Sequence, residues 1–368
     1  MKKSKSKRPS KTKAQLLMEL AAKKFGELKI SACWIVRNEA EKLRQSINSV
    51  KEYVDELIVV DTGSTDQTIE TAQRLGAKVF EQAWADDFSA PRNLAIENAG
   101  GDWIIFLDAD EFLAKGLAEN IRPAINIAVQ YGKQALLINL VNIDVERHNA
   151  VIDSTYLCRI FKKLEGIHYV GRIHEELRTG NGAPLSKVLT VQNDVLKIWH
   201  TGYSSSLNRN KAARNLKMLL RELEETDHPE RIYGYLAQCY NGLDDSVNAE
   251  KYARLAIEKS PHDSTFASSP HRILLEILSK DDTARLEERF EAAANAVEKF
   301  PLLPEFRAEL AECLAAKGDY PRAISEMKAA LKHSASYNGI EPTMFNRTMA
   351  DFAAERIDKW NKILGGHA

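Results

Sequence analysis

Two carboxylates separated by one residue stand at the end of an apolar run in the first half of the chain. Asp108 and Asp110 follow residues 103–107, which read Trp-Ile-Ile-Phe-Leu. Like charges this close repel each other in a partly desolvated position unless a cation meets them. Mg²⁺ and Mn²⁺ bind carboxylates together with phosphate oxygens and water, so the pair predicts a divalent-metal site for a diphosphate. The alternative is an acidic helix start with Asp110 as its N-cap.

A second group of polar residues follows another apolar run. Asp61 ends residues 56–61, and Gly63 after it permits a tight turn beside a ligand. A carboxylate here could accept the imide N–H of a uracil ring, while Ser64 caps the next helix. Arg92 begins a later helical segment and supplies a rigid positive fork. An ion pair between Arg92 and Asp86 or Asp87 is the alternative.

The elements that must position these residues alternate between strand and helix patterns up to about residue 203. Near-continuous Val/Ile runs with amphipathic stretches between them are typical of a buried parallel sheet covered by helices. Ligands of such sheets lie at the carboxyl ends of the strands, where the polar residues fall. The sequence therefore predicts an α/β domain over residues 28–205 with a mostly parallel sheet. Strands are predicted at 30–36, 56–61, 77–80, 103–108, 135–143, 156–161 and 188–199, and helices at 40–53, 65–75 and 89–98.

The remainder of the chain is helical in pattern and repeats. A connecting helix is predicted over residues 206–228, and tetratricopeptide-like repeats over 229–368. In a 34-residue repeat, small residues recur where paired helices approach closely. A generic helical bundle is the alternative. The tetratricopeptide repeat also has a large residue near position 11 and a proline near position 32. Units starting at Glu230, Pro270 and Pro304 place the following residues on the small, large or proline positions: Ala237, Tyr240, Ala249, Ala256 and Pro261; Ala293, Ala296 and Pro301; and Ala311, Leu314, Ala323 and Ala330.

Four ordered sequence blocks resemble those of family 2 glycosyltransferases. The resemblance covers about residues 28–205, and a subgroup of that family also carries tetratricopeptide repeats after its catalytic domain. That subgroup includes enzymes that resemble lipopolysaccharide-core glucosyltransferases and the S-glycosyltransferases of glycopeptide bacteriocins. The blocks occupy residues 33–39 (CWIVRNE), 59–66 (VVDTGSTD), 88–93 (FSAPRN) and 101–111 (GDWIIFLDADE).

The resemblance implies a GT-A fold, a nucleotide-diphosphate sugar donor, a divalent metal (Mn²⁺ or Mg²⁺) and inversion at the anomeric carbon. By the same motifs, Asp61 would contact the base and Arg92 would hold the nucleotide. Asp108 would contact ribose or metal, and Asp110 the metal. The block after the first strand adds Val36, Asn38 and Glu39 to the candidate nucleotide site. Uridine is the nucleotide that the family favours.

A catalytic base is expected near the anomeric carbon, because the acceptor loses a proton as it attacks. The candidate lies in residues 171–176, Gly-Arg-Ile-His-Glu-Glu, and the subgroup shows a similar His-Glu pair. We predict Glu175 as the base, with His174 orienting the acceptor or substituting for it. The alternative is a surface ion pair between Glu175 and Arg172.

Two later residues could help to bind the metal and the diphosphate. His200 follows the last predicted strand, where GT-A enzymes often supply a late metal ligand, and a hydrogen-bonded core histidine is the alternative. Arg159 could offer a second positive charge to the phosphates. By strand alternation it could instead face outward.

Composition sets the remaining expectations. The 368 residues are 44% hydrophobic and 28% charged, which is typical of a folded protein long enough for two domains. Residues 1–13 hold seven basic side chains and no acidic ones, although the whole chain has a net charge of −1. The body is therefore acidic, which argues against a broad nucleic-acid-binding surface. Residues 1–27 are expected to be a disordered basic tail with a short helix, and contact with an anionic membrane is the alternative.

Hydropathy, cysteine spacing and the helical repeats give expectations about where the protein is located and what it binds. No apolar run is long enough for a transmembrane helix, and the N-terminal region is too polar for a secretory signal. The four cysteines are far apart in sequence, which predicts reduced thiols in a cytoplasmic protein. A repeat groove would recognise an acceptor peptide, protein or glycan, and the helical domain offers a face for a homodimer.

The sequence thus predicts a metal-dependent inverting glycosyltransferase. A non-catalytic repeat scaffold with a vestigial nucleotide-binding domain is the first alternative. The second is a nucleotidyltransferase on a similar sheet, which would carry a glycine-rich loop after the first strand. Residues 37–41 read Arg-Asn-Glu-Ala-Glu and contain no glycine, so this interpretation ranks third.

Overall fold

The chain forms two units. The computed structural model describes residues 28–202, 208–260, 267–280, 284–337, 339, 341 and 343–365. Contacts divide the chain into Met1–Ser205 and Ser206–Ala368. The basic tail and short helix expected within residues 1–27, and Pro261 of the first repeat, lie outside the described residues.

The first half of the N-terminal unit is a parallel sheet, as its Val/Ile runs predict. Strands β1 (Ile30–Val36), β2 (Glu56–Asp61), β3 (Lys78–Glu81) and β4 (Trp103–Phe106) are ordered β3-β2-β1-β4, all parallel. Their carboxyl ends therefore share one edge of the sheet, which we call the site edge. The connecting helices are Ala40–Val50, Thr68–Arg74 and Ser89–Asn98, and the 3₁₀ turn Lys51–Tyr53 follows the first of them.

The second half makes the sheet mixed. Its strands are β5 (Glu111–Leu113), β6 (Ala135–Asp144), β7 (Ala150–Lys162), β8 (His168–Val170), β9 (Glu176–Arg178), β10 (Val188–Thr190) and β11 (Lys197–His200). β7 lies between β4 and β6 and is antiparallel to both. The full order is β3-β2-β1-β4-β7-β6-β11-β5, with β10 beside β6, and a separate hairpin pairs β8 with β9. The further elements are the helix Ile121–Gln130 and the 3₁₀ turns Ala118–Asn120 and Val145–Arg147.

β7 carries two bulged residues. Leu136 pairs with Ile160 but Leu137 pairs with Cys158, so Arg159 is an extra residue in the strand. Ile152 is skipped in the same way near the other end of the β6 ladder. A bulge re-aims the side chain it carries and breaks the simple alternation of faces.

Apolar layers on both faces of the sheet hold the domain together. Trp34, Trp103, Phe106 and Phe161 are fully buried. The indole N–H of Trp34 donates to Ser46 Oγ at 2.8 Å, which satisfies the one polar atom of that side chain. The site edge therefore rests on a rigid base.

Several predicted boundaries are wrong. The strand predicted at 156–161 is longer at both ends and covers Ala150–Lys162. β4 ends at Phe106, and the segment after the acidic pair is the strand β5, so Asp110 is not a helix N-cap. Residues 188–199 form two strands, β10 and β11, instead of one. The helix predicted from residue 65 begins at Thr68, and Ser64 accepts the backbone N–H of Asn38 instead of capping that helix.

The C-terminal unit consists of helix pairs. Small residues of the three predicted repeats, among them Ala237, Ala249, Ala293, Ala311 and Ala323, have no exposed surface. Buried alanines let neighbouring helices approach, in agreement with the tetratricopeptide pattern. The helices are Asn208–Glu225, Tyr233–Gly242, Ser246–Lys259, Ser269–Ser279, Leu286–Lys299, Pro304–Ala316, Tyr320–Ser336 and Arg347–Gly365, and the 3₁₀ turn Pro229–Arg231 follows the first of them.

Two further findings concern membrane-spanning helices and the cysteines. Within the described ranges, no helix has both the length and the apolar character needed to cross a bilayer. The four cysteines are free thiols, and Cys33, Cys239 and Cys313 are buried.

Candidate active site

Arg92 joins two of the predicted site carboxylates. It lies in the first turn of the helix Ser89–Asn98 and is 5% exposed. Its Nη2 donates to Asp108 Oδ1 at 2.8 Å, and its Nε donates to Glu175 Oε1. The guanidinium also lies over the rings of Phe106 and Tyr169, with centroid distances of 4.7 and 5.5 Å. Residues 16 and 83 positions away from Arg92 in sequence are thus gathered around one buried cation.

The alternative ion pairs considered for these residues are wrong. Asp86 accepts the indole N–H of Trp84 at 3.0 Å, and Asp87 accepts the backbone N–H of Ala90 at 3.1 Å. Glu175 pairs with Arg92 and not with Arg172, whose Nη1 donates to the carbonyl of Asp86 at 3.5 Å. Glu175 is therefore held against Arg92 and is not on a solvated loop. We call the surroundings of Arg92, Asp108 and Glu175 at the site edge the cleft.

Asp108 lies between two arginines. Arg159 Nη2 donates to Asp108 Oδ2 at 3.0 Å and also to Glu111 Oε1. Burial opposes the charge of Asp108, but Arg92 and Arg159 outweigh it and hold the pKa of this carboxyl well below its usual range. Each oxygen accepts one guanidinium N–H and retains a second lone pair for a ligand.

Glu111 is a site residue that the sequence analysis missed. It is 1% exposed, pairs with Arg159 and accepts the backbone N–H of Asp108 at 3.2 Å. Burial raises the pKa of Glu111 to about 7 against the opposing charge of Arg159. Its position directly after the acidic pair was the available signal, but a buried role depends on β5, which was not predicted.

The bulge in β7 explains the orientation of Arg159. As the extra residue between Cys158 and Ile160, it leaves the alternation of the strand and reaches Asp108 and Glu111. The interpretation of Arg159 as an outward-facing strand residue is therefore wrong.

Asp110 and His200 come together across the antiparallel pair of β5 and β11. His200 Nε2 lies 3.4 Å from Asp110 Oδ2, and its Nδ1 lies 2.6 Å from Asn142 Oδ1. The carbonyl of Asp110 also accepts the backbone N–H of Thr201 at 3.1 Å. Burial opposes both charges, but the hydrogen bond between the two groups raises the pKa of His200 and lowers that of Asp110.

Gly202 packs directly against this pair. A Cβ added to Gly202 would lie 2.6 Å from His200 Nε2 and would also collide with Asp110 Oδ2. Because Gly202 has no side chain, Asp110 Oδ2 and His200 Nε2 can converge beside it, and we call this pair of potential ligand atoms the cradle. Within the described residues, no three His, Cys, Asp or Glu side chains form a ready-made metal cluster. A site that takes its other ligands from phosphate and water needs only one or two protein groups.

We expect Gly202→Ala to weaken metal-dependent nucleotide binding at least about tenfold, because the new methyl group would displace the Asp110 or His200 side chain. Titration calorimetry with nucleotide and Mn²⁺ measures the effect. Gly100→Ala is the matched control, since its Cβ would meet no atom closer than 3.5 Å. Equal weakening in both variants would contradict the cradle.

Asp61 is the last residue of β2. It is 1% exposed, and its Oδ1 accepts the backbone N–H groups of Gly63 and Ser64 at 2.9 and 2.8 Å. Gly63 has φ +105°, a conformation that favours glycine. Asp61 Oδ2 is buried and has no hydrogen-bond partner among the described residues. A buried acceptor of this kind suits a ligand N–H.

The other predicted nucleotide residues differ in their placement. Asn38, with φ +54°, accepts the Thr65 backbone N–H at 2.7 Å and so ties the loop after β1 to the loop after β2. The backbone N–H of Glu39 donates to Thr68 Oγ1 at 2.9 Å. The side chain of Val36 packs in the core, so only its backbone could meet a ligand.

His174 lies next to Glu175 in a left-handed conformation, with φ +53°. The residue is exposed, but desolvation by the neighbouring protein lowers the pKa of its imidazole. The ring is therefore neutral at pH 7 and can accept or donate a hydrogen bond.

We expect Arg92→Met to destabilise the chain by about 3 kcal/mol, because the Glu175 carboxylate would lose its buried partner and Asp108 one of two. The free energy of unfolding in urea gives the value. Arg44→Met is the control, since its ion pair with Glu41 is exposed. A loss no larger than in the control would contradict a central role for Arg92.

Comparisons with known proteins found one family model and several similar proteins. The family model for glycosyl transferase family 2 matches residues 31–176. A TPR repeat-containing protein of Synechococcus elongatus is 35% identical over 210 residues, which are 55% of this chain and 50% of that protein. The SPbeta prophage-derived glycosyltransferase SunS of Bacillus subtilis is 27% identical over 235 residues, 61% of this chain and 52% of that protein. A crystal structure of S. aureus TarS 1–349 in complex with UDP-GlcNAc aligns with a TM-score of 0.39 and 15% identity, covering 80% of this chain and 93% of TarS 1–349.

This chain spans about half the length of the curated relatives it matches. The matched region contains β1 from its second residue, β2 to β4, the acidic pair, Arg92 and Glu175. The buried arginine and its carboxylate partners therefore lie within the part of the chain that resembles the family. The expected α/β fold, followed by a helical repeat unit, is confirmed. Residues 31–176 of this chain are similar to glycosyl transferase family 2, and the buried arginine and its carboxylates lie within that match.

Proposed function

We propose that the chain is a metal-dependent inverting glycosyltransferase that moves a sugar from a nucleotide-diphosphate donor, UDP by preference, to a peptide, protein, glycan or lipid acceptor. One observation carries the proposal. Arg92 bridges Asp108 and Glu175 at the edge where Asp110 and His200 also meet. All of these residues except His200 lie in the region that matches the family 2 model.

The donor would lie across the carboxyl ends of β1, β2 and β4. Asp61 Oδ2, buried without a partner among the described residues, would accept the imide N–H of uracil. Asn38 and Glu39 hold the adjoining loops, and their own contacts support the shape of that subsite. The free lone pairs of Asp108 suit a ribose hydroxyl or the metal.

Asp110 and His200 would hold the divalent metal, with Asp108 as a further candidate ligand. When bound, Mg²⁺ or Mn²⁺ would neutralise the leaving diphosphate as a Lewis acid. Arg159 lies on the same side of the cleft as Asp108 and would add positive charge toward the phosphates. Arg92 would help hold the nucleotide through its Nη1, which is buried and unpartnered within the described chain.

Transfer would be a single displacement. Glu175 takes the proton from the acceptor hydroxyl, thiol or amide as that atom bonds to the anomeric carbon. The bond to the diphosphate oxygen breaks, and its electron pair leaves with the diphosphate. Arg92 orients the Glu175 carboxylate for this step, and His174 orients the acceptor beside it.

The proposal also assigns a role to the helical unit and a cellular compartment to the reaction. Stacked helix pairs offer a surface for an acceptor or a partner, including a second copy of this chain. Free thiols suit a reducing compartment, and we place the reaction in the cytoplasm.

A panel of nucleotide sugars tests the proposal. We expect one donor to raise the melting temperature of the chain in the presence of Mn²⁺ and to be hydrolysed slowly without acceptor. EDTA should abolish both effects. A chain that binds no nucleotide with metal would instead be the repeat scaffold with a vestigial domain.

A further inference from the structure

One edge of β7 lies open beside the cleft. β6 pairs with β7 along nearly its whole length, whereas β4 pairs only with residues 160–162. On the β4 side, residues 150–159 have no strand partner within the described chain. These residues also take part in no described backbone hydrogen bond outside the sheet ladders. Every second residue there presents its N–H and C=O to the cleft side.

Between its two bulges, this edge lacks the usual protection against pairing. Free edges are commonly blunted by lysine, proline or short length. Residues 150–158 read Ala-Val-Ile-Asp-Ser-Thr-Tyr-Leu-Cys, without lysine or proline and with one charge. The bulges at Ile152 and Arg159 fall at its two ends, so residues 153–158 keep a regular register. The segment is therefore suited to accept another strand.

The chemistry of the edge selects the partner. A row of alternating N–H and C=O groups is matched by another extended backbone, and neither a lipid nor a glycan offers that pattern. At the outer end, Val151 and Ile152 are 61% and 49% exposed, which suits apolar side chains of the incoming segment. An extended peptide is the ligand class that uses both features.

The inner end of the edge reaches the site. Arg159 ends it and bonds Asp108, which shares Arg92 with Glu175. A strand on this edge would thus run toward the carboxylate assigned as base. We propose that the acceptor is an extended peptide segment that adds to the free edge of β7 as a further strand and so presents a hydroxyl or thiol side chain to Glu175. This inference rests on the proposed function.

The test uses the full chain and a donor that it hydrolyses. An array of random decapeptides containing Ser, Thr and Cys is incubated with that donor carrying a labelled sugar, and the best acceptor peptide is then N-methylated one residue at a time. We expect methylation to raise KM about tenfold at every second residue and little at those between, because strand addition uses alternate N–H groups. Val151→Lys should also raise the peptide KM. Val129→Lys, on a helix and 37% exposed, is the matched control.

The outcomes separate the two proposals. A chain that hydrolyses no donor would fail the proposed function itself. Donor hydrolysis without labelling of any peptide would overturn the peptide acceptor and leave sugar transfer standing. Peptide labelling with no alternation in the N-methyl scan would overturn strand addition. A dimer in sedimentation that Val151→Lys converts to monomer would assign the edge to a second copy and overturn the proposal.

Discussion

Asp110→Ala is expected to lower transfer about 10³-fold, because under the proposed function it removes a metal ligand and with it several kcal/mol of charge stabilisation on the leaving diphosphate. Asp110 Oδ2 and His200 Nε2 form the cradle, so one missing ligand leaves the other alone. Donor binding should lose its dependence on Mn²⁺. Initial rates with labelled donor and calorimetry with nucleotide, each at several Mn²⁺ concentrations, measure the two effects.

The control for this variant is Asp358→Ala. Asp358 is exposed, lies on a helix of the C-terminal unit and pairs only with exposed Lys362 in the described contacts, so the change should affect neither readout. Both variants should melt within a few degrees of the unaltered chain. Normal metal-dependent donor affinity in Asp110→Ala would contradict the metal assignment.

Glu175→Gln is expected to lower transfer about 10²- to 10⁴-fold while donor affinity stays unchanged, because a general base is lost and the nucleotide contacts remain. Glutamine keeps an oxygen that can accept the Nε–H of Arg92. The variant therefore tests proton acceptance separately from the buried ion pair. The rate of transfer at saturating donor is the measurement, with donor affinity from calorimetry beside it.

Glu176→Gln is the paired control. Its neighbour Arg178 binds it on the β8–β9 hairpin, and it makes no described contact with Arg92. Retained turnover in Glu175→Gln, combined with loss in Glu176→Gln or His174→Asn, would move the base to one of those residues.

The sheet core was predictable because its signal is local. β1 and β2 have the predicted bounds, since a short apolar run rich in Val and Ile indicates a buried strand without reference to the rest of the chain. In β2 the four apolar residues 57–60 are all buried. The helix Ser89–Asn98 also has its predicted bounds. The positions of Asp61 and Asp108 at or near strand ends followed from the same pattern.

The contacts between distant segments were not predictable. The acidic residues after β4 favour a helix start by local propensity, but Glu111 pairs in register with His200, which is far away in sequence. Alternation along β7 could not place Arg159, because a bulge depends on the partner strand. The predicted partners of Arg92, Asp86 and Asp87, were also wrong. They are near Arg92 in sequence, but the fold brings Asp108 and Glu175 to its guanidinium instead.

The pairing of β11 with β5 has a consequence for synthesis on the ribosome. His200 comes from the last strand of the domain and Asp110 from its middle, and the two meet only when β11 inserts between β6 and β5. A nascent chain that ends before residue 197 contains the whole acidic motif but lacks this strand. Such an intermediate would lack the contact between Asp110 and His200. If the proposed metal site is correct, the growing polypeptide would bind no metal there until its final strand has emerged and paired.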